Sequence, residues 1–441
     1  MSNSWSRRRK SKRQTRQPAP LEAEIEISGL GAGGDGVARW RDAPVYAPGL
    51  LPGERALVDI GGRRGEGRLA ETRQILALSP DRVEPPCPHA GQCGGCAVQH
   101  LADAAYAAWK SDLLDRALSA RALAPETRGA LVRFEEGRRR LRFAVRGRAE
   151  GPVFGFNGKA SKRIVDIDAC LAATPALADA PTKLRPLLAK LLQPGEPADV
   201  EALAAAAGLD VLIVRRRPFD LPEREAIAEA AARLGLARVA WRADDRDAPE
   251  IVAERTPPSL DIAGAVVTPP PGAFLQPTAA GEAAMAAFAA ERLAGAGRIA
   301  DLYAGWGAFA LRLARPAHVA AYEGDAAMID CLNRAAGAAN LGGFLKGEAR
   351  DLARQPLLGA ELRRLDGVVL DPPRGGAPAQ AEALAADGPP RVVYLSCNPA
   401  ALARDARVLV DGGYRFVEAT PIDQFRWTPH LEVAAYFERA G

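Results

Sequence analysis

Three short segments carry side chains able to do covalent chemistry: Asp371-Pro-Pro-Arg374, Ser396-Cys397-Asn398-Pro399 and Thr428-Pro-His-Leu-Glu432. Cys397 stands at the corner between the strand-like run VVYLS and the helix-like run NPAALARD. Just before a helix N-terminus, unpaired N–H groups and the helix dipole lower a thiol's pKa, so a thiolate is expected at this corner. A thiolate beside carboxylates suits one problem well. The C5 of uracil is too weak a nucleophile to take an alkyl group until something adds to C6 and pushes electrons onto C5, and a cysteine can make that addition. A base must then remove the C5 proton. Glu432 is the candidate, with His430 as the alternative. Asp371 would hydrogen-bond the pyrimidine edge, and Arg374 would meet a flanking phosphate or the enolate oxygen. The paired prolines hold these loops rigid.

A second constellation suits a nucleoside-type cofactor. Asp301-Leu-Tyr-Ala-Gly-Trp-Gly307 falls where a strand turns into a helix. There, glycines such as Gly305 let backbone approach a ligand lying beyond the strand's carboxyl end, with Tyr303 alongside. The spacing is not that of a dinucleotide fingerprint. Glu323 closes the next strand, where a carboxylate accepts hydrogen bonds from ribose hydroxyls, and Asp351 follows a third strand within reach of an adenine edge. Acids at successive strand ends suit a nucleoside with a neutral or cationic tail.

A third group is Cys87, Cys93 and Cys96, spaced C-x5-C-x2-C in a glycine-bearing loop, with Cys170 as the expected fourth ligand. Four thiolates suit zinc or an iron-sulfur cluster, and His89 and His100 keep a mixed zinc site open. Clustered cysteines in a chain of this size, read as cytoplasmic, point to metal or catalysis rather than disulfides.

The elements that must position these groups follow from length and pattern. A chain of 441 residues is long enough for two or three domains. Residues 1–19 form a basic tail: Arg7, Arg8, Arg9, Lys10, Lys12, Arg13 and Arg16 precede any acid. The formal charge of the whole chain is only +4, so the remainder is net negative. Such a tail is expected to be disordered and to suit a polyphosphate partner. Residues 20–78 alternate apolar and polar in short runs between glycine turns, as in a small antiparallel barrel. Residues 79–272 read as a central α+β domain with the cysteine cluster, and alanine-rich 199–209 and 280–297 read as helices. From 273 to 441, strand and helix alternate, predicting a parallel doubly wound sheet with an antiparallel terminal hairpin at its edge. No apolar run has the length of a membrane span.

The motifs FLQPT (274–278), DLYAGWGAF, YEGD, ARDL, DPPR, LSCNPAALARD and DQFRWTPHLE resemble the RNA uracil-5-methyltransferase family, in its branch with a TRAM domain and an iron-sulfur cluster. The likeness covers nearly everything after the tail. It implies an α/β fold: a Rossmann-like class I S-adenosylmethionine-dependent methyltransferase domain, an N-terminal TRAM/OB-like β-barrel and an α+β central domain. Helices near 100–125 would pack on the catalytic domain. It also implies Cys397 as nucleophile and Glu432 as base, with Gln276, Tyr303, Glu323 and Asp371 at or beside S-adenosylmethionine. Cys87, Cys93, Cys96 and Cys170 would hold a 4Fe-4S cluster, with zinc second. The substrate would be RNA, 23S rRNA ahead of transfer RNA, handled by a monomer with no membrane partner.

Arg138-Arg-Arg-Leu-Arg142, Arg215-Arg-Arg217 and the tail would hold the RNA backbone, while Trp109, Phe274 and Trp427 are candidates to stack on bases. Ala304, Ala308, Thr278 and Arg426 depart from the family's usual cysteine, asparagine, asparagine and proline, which bears on cofactor contact. Two other readings differ in kind. Amino-group methylation is opposed by Arg374, where an aromatic residue is expected. The other is a non-catalytic RNA-binding or ribosome-assembly factor.

Overall fold

In the computed structural model, which describes residues 21–439, the alternating runs of the first segment form six strands: Leu21–Glu26, Gly29–Leu30, Gly36–Trp40, Ala43–Ala47, Arg55–Arg64 and Gly67–Ala77. The basic segment 1–19 lies outside the described residues. The first two strands sit at opposite edges of the sheet yet are separated only by Ile27 and Ser28. Ile27 N donates to Glu54 O (2.9 Å) and Ser28 N to Val37 O (2.8 Å), so one stretch of chain joins both edges. The sheet is thereby closed into a barrel around Ile25, Ile27, Val45, Val58 and Ile60, and closure removes the exposed edges an open sheet would leave. This unit ends at Val83; everything from Glu84 onward is a second compact unit.

The second unit contains two large sheets. The first has seven strands in the order Ile164–Asp166, Val153–Asn157, Arg140–Arg146, Pro197–Ala205, Gly208–Val214, Arg238–Arg242 and Glu250–Glu254. Helices Ala180–Leu191 and Leu221–Leu234 cover its apolar core. Alanine-rich 199–209 is therefore not helical. It pairs with Arg140–Arg146 on one side and Gly208–Val214 on the other, and Val200 to Leu203 are buried without interruption. Burial on both faces and two ladders outweigh the helix preference of alanine, which is worth only tenths of a kcal/mol per residue.

The second sheet runs Leu345–Ala349, His318–Glu323, Arg298–Leu302, Gly367–Leu370, Arg391–Ser396, Glu432–Glu438, Arg415–Asp423. The first five strands are parallel, with Glu432–Glu438 inserted antiparallel between the fifth and Arg415–Asp423. The alternation from 298 onward thus forms the expected doubly wound sheet. Strand order reverses at Arg298–Leu302, which neighbours both His318–Glu323 and Gly367–Leu370, and ligands of such sheets bind beyond the carboxyl ends at that reversal.

The terminal hairpin is not the edge. Thr127–Arg128 and Val132–Arg133 pair in parallel with Arg415–Asp423, outside it. Helix Asp103–Ser119 packs on helix Pro399–Asp411, so the catalytic sheet takes residues from well before 273. A fully buried ion pair fastens this early segment. Lys110 Nζ donates to Asp423 (2.8 Å) and to the His430 carbonyl, and Tyr106 Oη donates to the same Asp423 carboxylate (2.6 Å). Removing one member of a buried pair leaves the other charge uncompensated. Lys110→Met is expected to lower unfolding free energy by about 3–5 kcal/mol in urea titrations. Arg363→Ala, which breaks the exposed pair with Asp387, should cost less than about 1 kcal/mol.

Candidate active site

The reversal point opens into a cavity of about 580 Å³. Its lining includes Gln276, Tyr303, Gly305, Glu323, Asp371, Arg374, Cys397 and Glu432. Asp371 follows strand Gly367–Leu370, Cys397 follows Arg391–Ser396, and Glu432 begins the antiparallel strand whose start lies at the same edge. Topology thus gathers what is scattered in sequence. Asp351 and His430 stand outside this lining. Asp351 caps its own turn, accepting from Ala353 N (3.1 Å), although its charge reaches Tyr303.

On the nucleoside side, Asp301 is wholly buried and accepts from Ala310 N (2.8 Å), tying the end of the first strand to the helix after the turn. Tyr303 adopts φ +63°, a left-handed conformation that costs a residue with a Cβ on the order of 1 kcal/mol and is held by its surroundings. Gly307, at φ +98°, has no such option: a Cβ there would stand 2.2 Å from Leu332. Gly305 N donates to Glu323 (3.1 Å), whose other oxygen accepts from Asp325 N (3.0 Å), fixing the carboxylate at the strand end. Ala304 and Ala308 line the cavity and leave it wide. Thr278 instead caps helix Ala279–Arg292, and Arg426 lies over the Trp427 ring.

At the reactive end, buried Gln276, Gln424 and Glu432 form a ladder with partly exposed Asp371. Gln424 Nε2 donates to Gln276 Oε1 (2.8 Å), and Gln276 Nε2 donates to Asp371 Oδ2 (2.7 Å). The Gln424 amide also meets Glu432, while its carbonyl accepts from Thr278 N (3.4 Å). These partners fix which way both amides point. Arg139 supports the ladder from behind, donating to the Gln276 carbonyl (3.0 Å) and pairing with buried Glu282 (2.5 Å). A Cβ on Gly281 would lie 2.4 Å from Gln424 Oε1, so glycine there makes room for the rung.

The electrostatics overturn one expectation. The Cys397 thiol is not lowered but pushed up to about 11, by burial first and then by the negative charges of Glu432 and Asp371. Burial, together with two nearby carboxylates, outweighs the modest end-of-helix effect. Burial raises Asp371 and Glu432 themselves, with Asp371 further raising Glu432, and among the described residues the Glu432 Oε2 atom has no hydrogen-bond partner. His430 is held near 4 by burial and by Arg374, Arg138 and Lys110, so it is neutral at pH 7.

Most of the arginine runs are structural rather than free for RNA. Arg139 pairs with Glu282, Arg140 with Glu201, Arg142 with Asp199 (2.6 Å) and Asp245 (3.0 Å), and Arg215 and Arg217 with Glu223 (2.6 and 2.7 Å). Of the aromatic candidates, Trp109 is buried, whereas Phe274 is exposed at the cavity. Cys87, Cys93, Cys96 and Cys170 line one pocket with Arg138 and Gln99. Among the described residues no three His, Cys, Asp or Glu side chains converge tightly enough to hold a single metal ion. Burial raises the thiols of Cys93 and Cys96, and that of Cys170 to about 11.

Sequence reading missed Gln424, Glu282 and Lys110. Gln424 was reachable: strand Arg415–Asp423 runs parallel to Arg391–Ser396, so its carboxyl end falls at the ligand edge like the others.

This strand order, with its cavity at the reversal, is the class I methyltransferase fold. A solved structure of similar architecture is the Pyrococcus abyssi tRNA (uracil-54, C5)-methyltransferase in complex with S-adenosyl-L-homocysteine, at TM-score 0.73 and 22% identity, covering 94% of this chain and 100% of that one. Residues 343–440 match the tRNA (Uracil-5-)-methyltransferase family model. An uncharacterised RNA methyltransferase of Rhizobium meliloti is 40% identical over 424 residues, covering 94% of this chain and 99% of that protein. The 23S rRNA (uracil(1939)-C(5))-methyltransferase RlmD of Chromohalobacter salexigens is 36% identical over 435 residues, covering 95% and 90%. The chain belongs to the RNA (uracil-5-)-methyltransferase family.

With the Cys397 pKa near 11, the reactive thiolate of the ligand-free protein grows with pH and stays a small fraction at neutrality. Iodoacetamide labelling of Cys397, followed by peptide mass spectrometry, is therefore expected to accelerate about tenfold per pH unit with no plateau below about pH 10. A plateau near neutrality would contradict this.

Proposed function

We propose that this protein transfers a methyl group from S-adenosylmethionine to C5 of a uridine in RNA through a covalent adduct between Cys397 and C6. The observation that carries this reading is the meeting of Cys397, Glu432 and Asp371 on one cavity, with the two acids linked through Gln276 and Gln424. The cavity also fits the cofactor: Glu323 at the second strand end suits ribose hydroxyls, and Gly305 admits the backbone close to a ligand. When bound, S-adenosylmethionine supplies an electrophilic methyl on a sulfonium cation.

The chain's own residues do the rest. The cation of a bound cofactor would offset the two carboxylates that hold the Cys397 thiol up, and the thiol's proton would then leave to solvent. The sulfur adds to C6, and the double-bond electrons move through C5 toward O4. C5 then takes the methyl group, whose former bonding pair would stay on the cofactor sulfur as a neutral thioether leaves. Glu432 removes the C5 proton, the C5–C6 double bond re-forms, and the sulfur departs with its bonding pair. Asp371 and Gln276 face the pyrimidine edge, and Arg374 at the rim meets the flanking phosphate. A uracil inside a stack hides C5 and C6, so the target lies in a loop or is turned outward.

The name of the RlmD relative, at 36% identity over nearly the whole chain, supports 23S rRNA as the substrate ahead of transfer RNA; our reading adds a cytoplasmic monomer. The barrel of residues 21–77 suits a TRAM-type RNA-binding module. The pocket lined by Cys87, Cys93, Cys96 and Cys170 suits a 4Fe-4S cluster held by four thiolates, with zinc second. Cys87, Cys93, Cys96 and Cys170 would hold the cluster, whose cationic irons offset buried thiolates.

RNA carrying 5-fluorouridine, which blocks proton removal, is expected to trap a protein–RNA adduct with the wild type and none with Cys397→Ala. Glu432→Gln should lower turnover about 10²–10⁴-fold and accumulate a methylated adduct on ordinary 23S transcripts. Gln424→Leu should fall between them. Full turnover by Cys397→Ala would end this reading, and methylation of transfer RNA alone would redirect the substrate. Anaerobically purified protein is expected to contain iron and acid-labile sulfide in equal amounts, both lost in Cys93→Ser/Cys96→Ser; stoichiometric zinc instead would exclude the cluster.

A further inference from the structure

The family reading accounts for the large cavity but not for a second feature beside the cysteine loop. Strands Val153–Asn157 and Ile164–Asp166 are joined by a tip, Gly158-Lys-Ala-Ser-Lys-Arg163, in which Lys159, Lys162 and Arg163 are all exposed. Among the described residues neither Lys162 nor Arg163 has an ion pair. By contrast, Arg140, Arg142, Arg215, Arg217 and Arg238 of the same sheet and its loops are matched to carboxylates. Lys162 and Arg163 thus place two exposed positive charges without an ion pair at the tip, on a chain that is net negative beyond its basic segment.

The tip is preset. Gly158 N donates to Arg163 O (2.8 Å), Ser161 N to Gly158 O (3.0 Å), and Arg163 N to Ser161 Oγ (3.0 Å). It is also latched to the cysteine loop: Gly94 N donates to Asn157 O (3.0 Å) and Lys159 N to Gln92 O (3.2 Å). Gly94 is required for this approach, since a Cβ there would stand 2.8 Å from the Asn157 carbonyl. Beside the latch lies an open depression of about 340 Å³, lined by Gly94, Gly95, Phe156, Asn157 and the mutually paired Arg142 and Asp199. A half-buried aromatic ring, a side-chain amide and glycine backbone are what an unpaired base uses to stack and hydrogen-bond. The cysteine loop is tied in turn to the loop before Glu432, through Ala97 N and Val98 N donating to the Trp427 carbonyl (2.8 and 3.2 Å). Hairpin, depression and reactive site therefore share one connected frame.

We propose that this hairpin and depression form a second RNA contact. Lys162 and Arg163 hold the phosphate backbone of an unpaired segment flanking the target, and one base stacks on Phe156. This rests on the RNA-methylating reading above and adds to it a surface that positions substrate away from the reacting atoms. It also gives the cysteine centre a task, since folding its loop sets where the hairpin stands.

The test compares full-length wild type with Lys162→Glu/Arg163→Glu, both changes lying at the exposed tip. Binding of a fluorescently labelled single-stranded RNA is followed by anisotropy between about 50 and 200 mM salt. Loss of two phosphate contacts is expected to reduce the slope of log affinity against log salt by about 1.4. Affinity at the low-salt end should fall at least about tenfold, and KM for a 23S transcript should rise similarly with kcat and S-adenosylmethionine binding unchanged. Lys162→Arg/Arg163→Lys should behave as wild type. Phe156→Leu should weaken binding about fivefold or more with the slope unchanged. Wild-type slope and KM in the double variant would overturn the proposal. Absence of methylation by the wild type would instead remove the catalytic reading, while the binding slopes would still decide this one.

Discussion

Two carboxylates and a thiol share one buried cavity, and the rest of the molecule is arranged around the cost of that. Taking a carboxylate out of water costs several kcal/mol even after relaxation, and a second negative charge beside it costs more. Asp371 and Glu432 accordingly hold their protons more tightly than free acids do, and so does Cys397. Gln276 and Gln424 limit the penalty by spending amide N–H groups on both acids. The ligand-free site is electrostatically poised for a cation, and Arg374 is the one cationic side chain in its described lining.

The ladder in turn needs walls that do not yield. Arg139 braces Gln276 from the neighbouring sheet, and Glu282 is held between Arg139 and Arg312. On the far side, Lys110 and Tyr106 grip Asp423, the residue before Gln424. Each rung is thus fixed by an element from a different part of the chain, as a site that must keep reacting atoms within about half an ångström requires.

Much of this was legible in the amino-acid order, and what was not has identifiable causes. The parallel strands announced themselves because apolar runs buried on both faces, followed by glycine or proline turns, have few other uses. Cys397, Asp371 and Glu432 could be placed together because strand ends of such a sheet share one edge. Alanine-rich 199–209 misled because one of its two strand partners, Arg140–Arg146, is distant in sequence, and local preference carries no record of it. The basic run Arg138–Arg142 looked like a polyanion surface because its carboxylates lie tens of residues away, as with Arg140 and Glu201. The thiol's ionisation was misjudged for the same reason: the helix start is visible locally, whereas Glu432 is a neighbour only in space.

The join between helix Asp103–Ser119 and the far end of the chain bears on how the protein is made. Tyr106 and Asp423, which close that join, are 317 positions apart. During synthesis the helix and the strands Thr127–Arg128 and Val132–Arg133 emerge early and then wait, with apolar surface and backbone groups uncovered, until the last hairpin appears. Such long-range closure is slow, and its waiting intermediates are prone to aggregate. Maturation of this enzyme should accordingly lean on chaperones more than its ordinary size suggests.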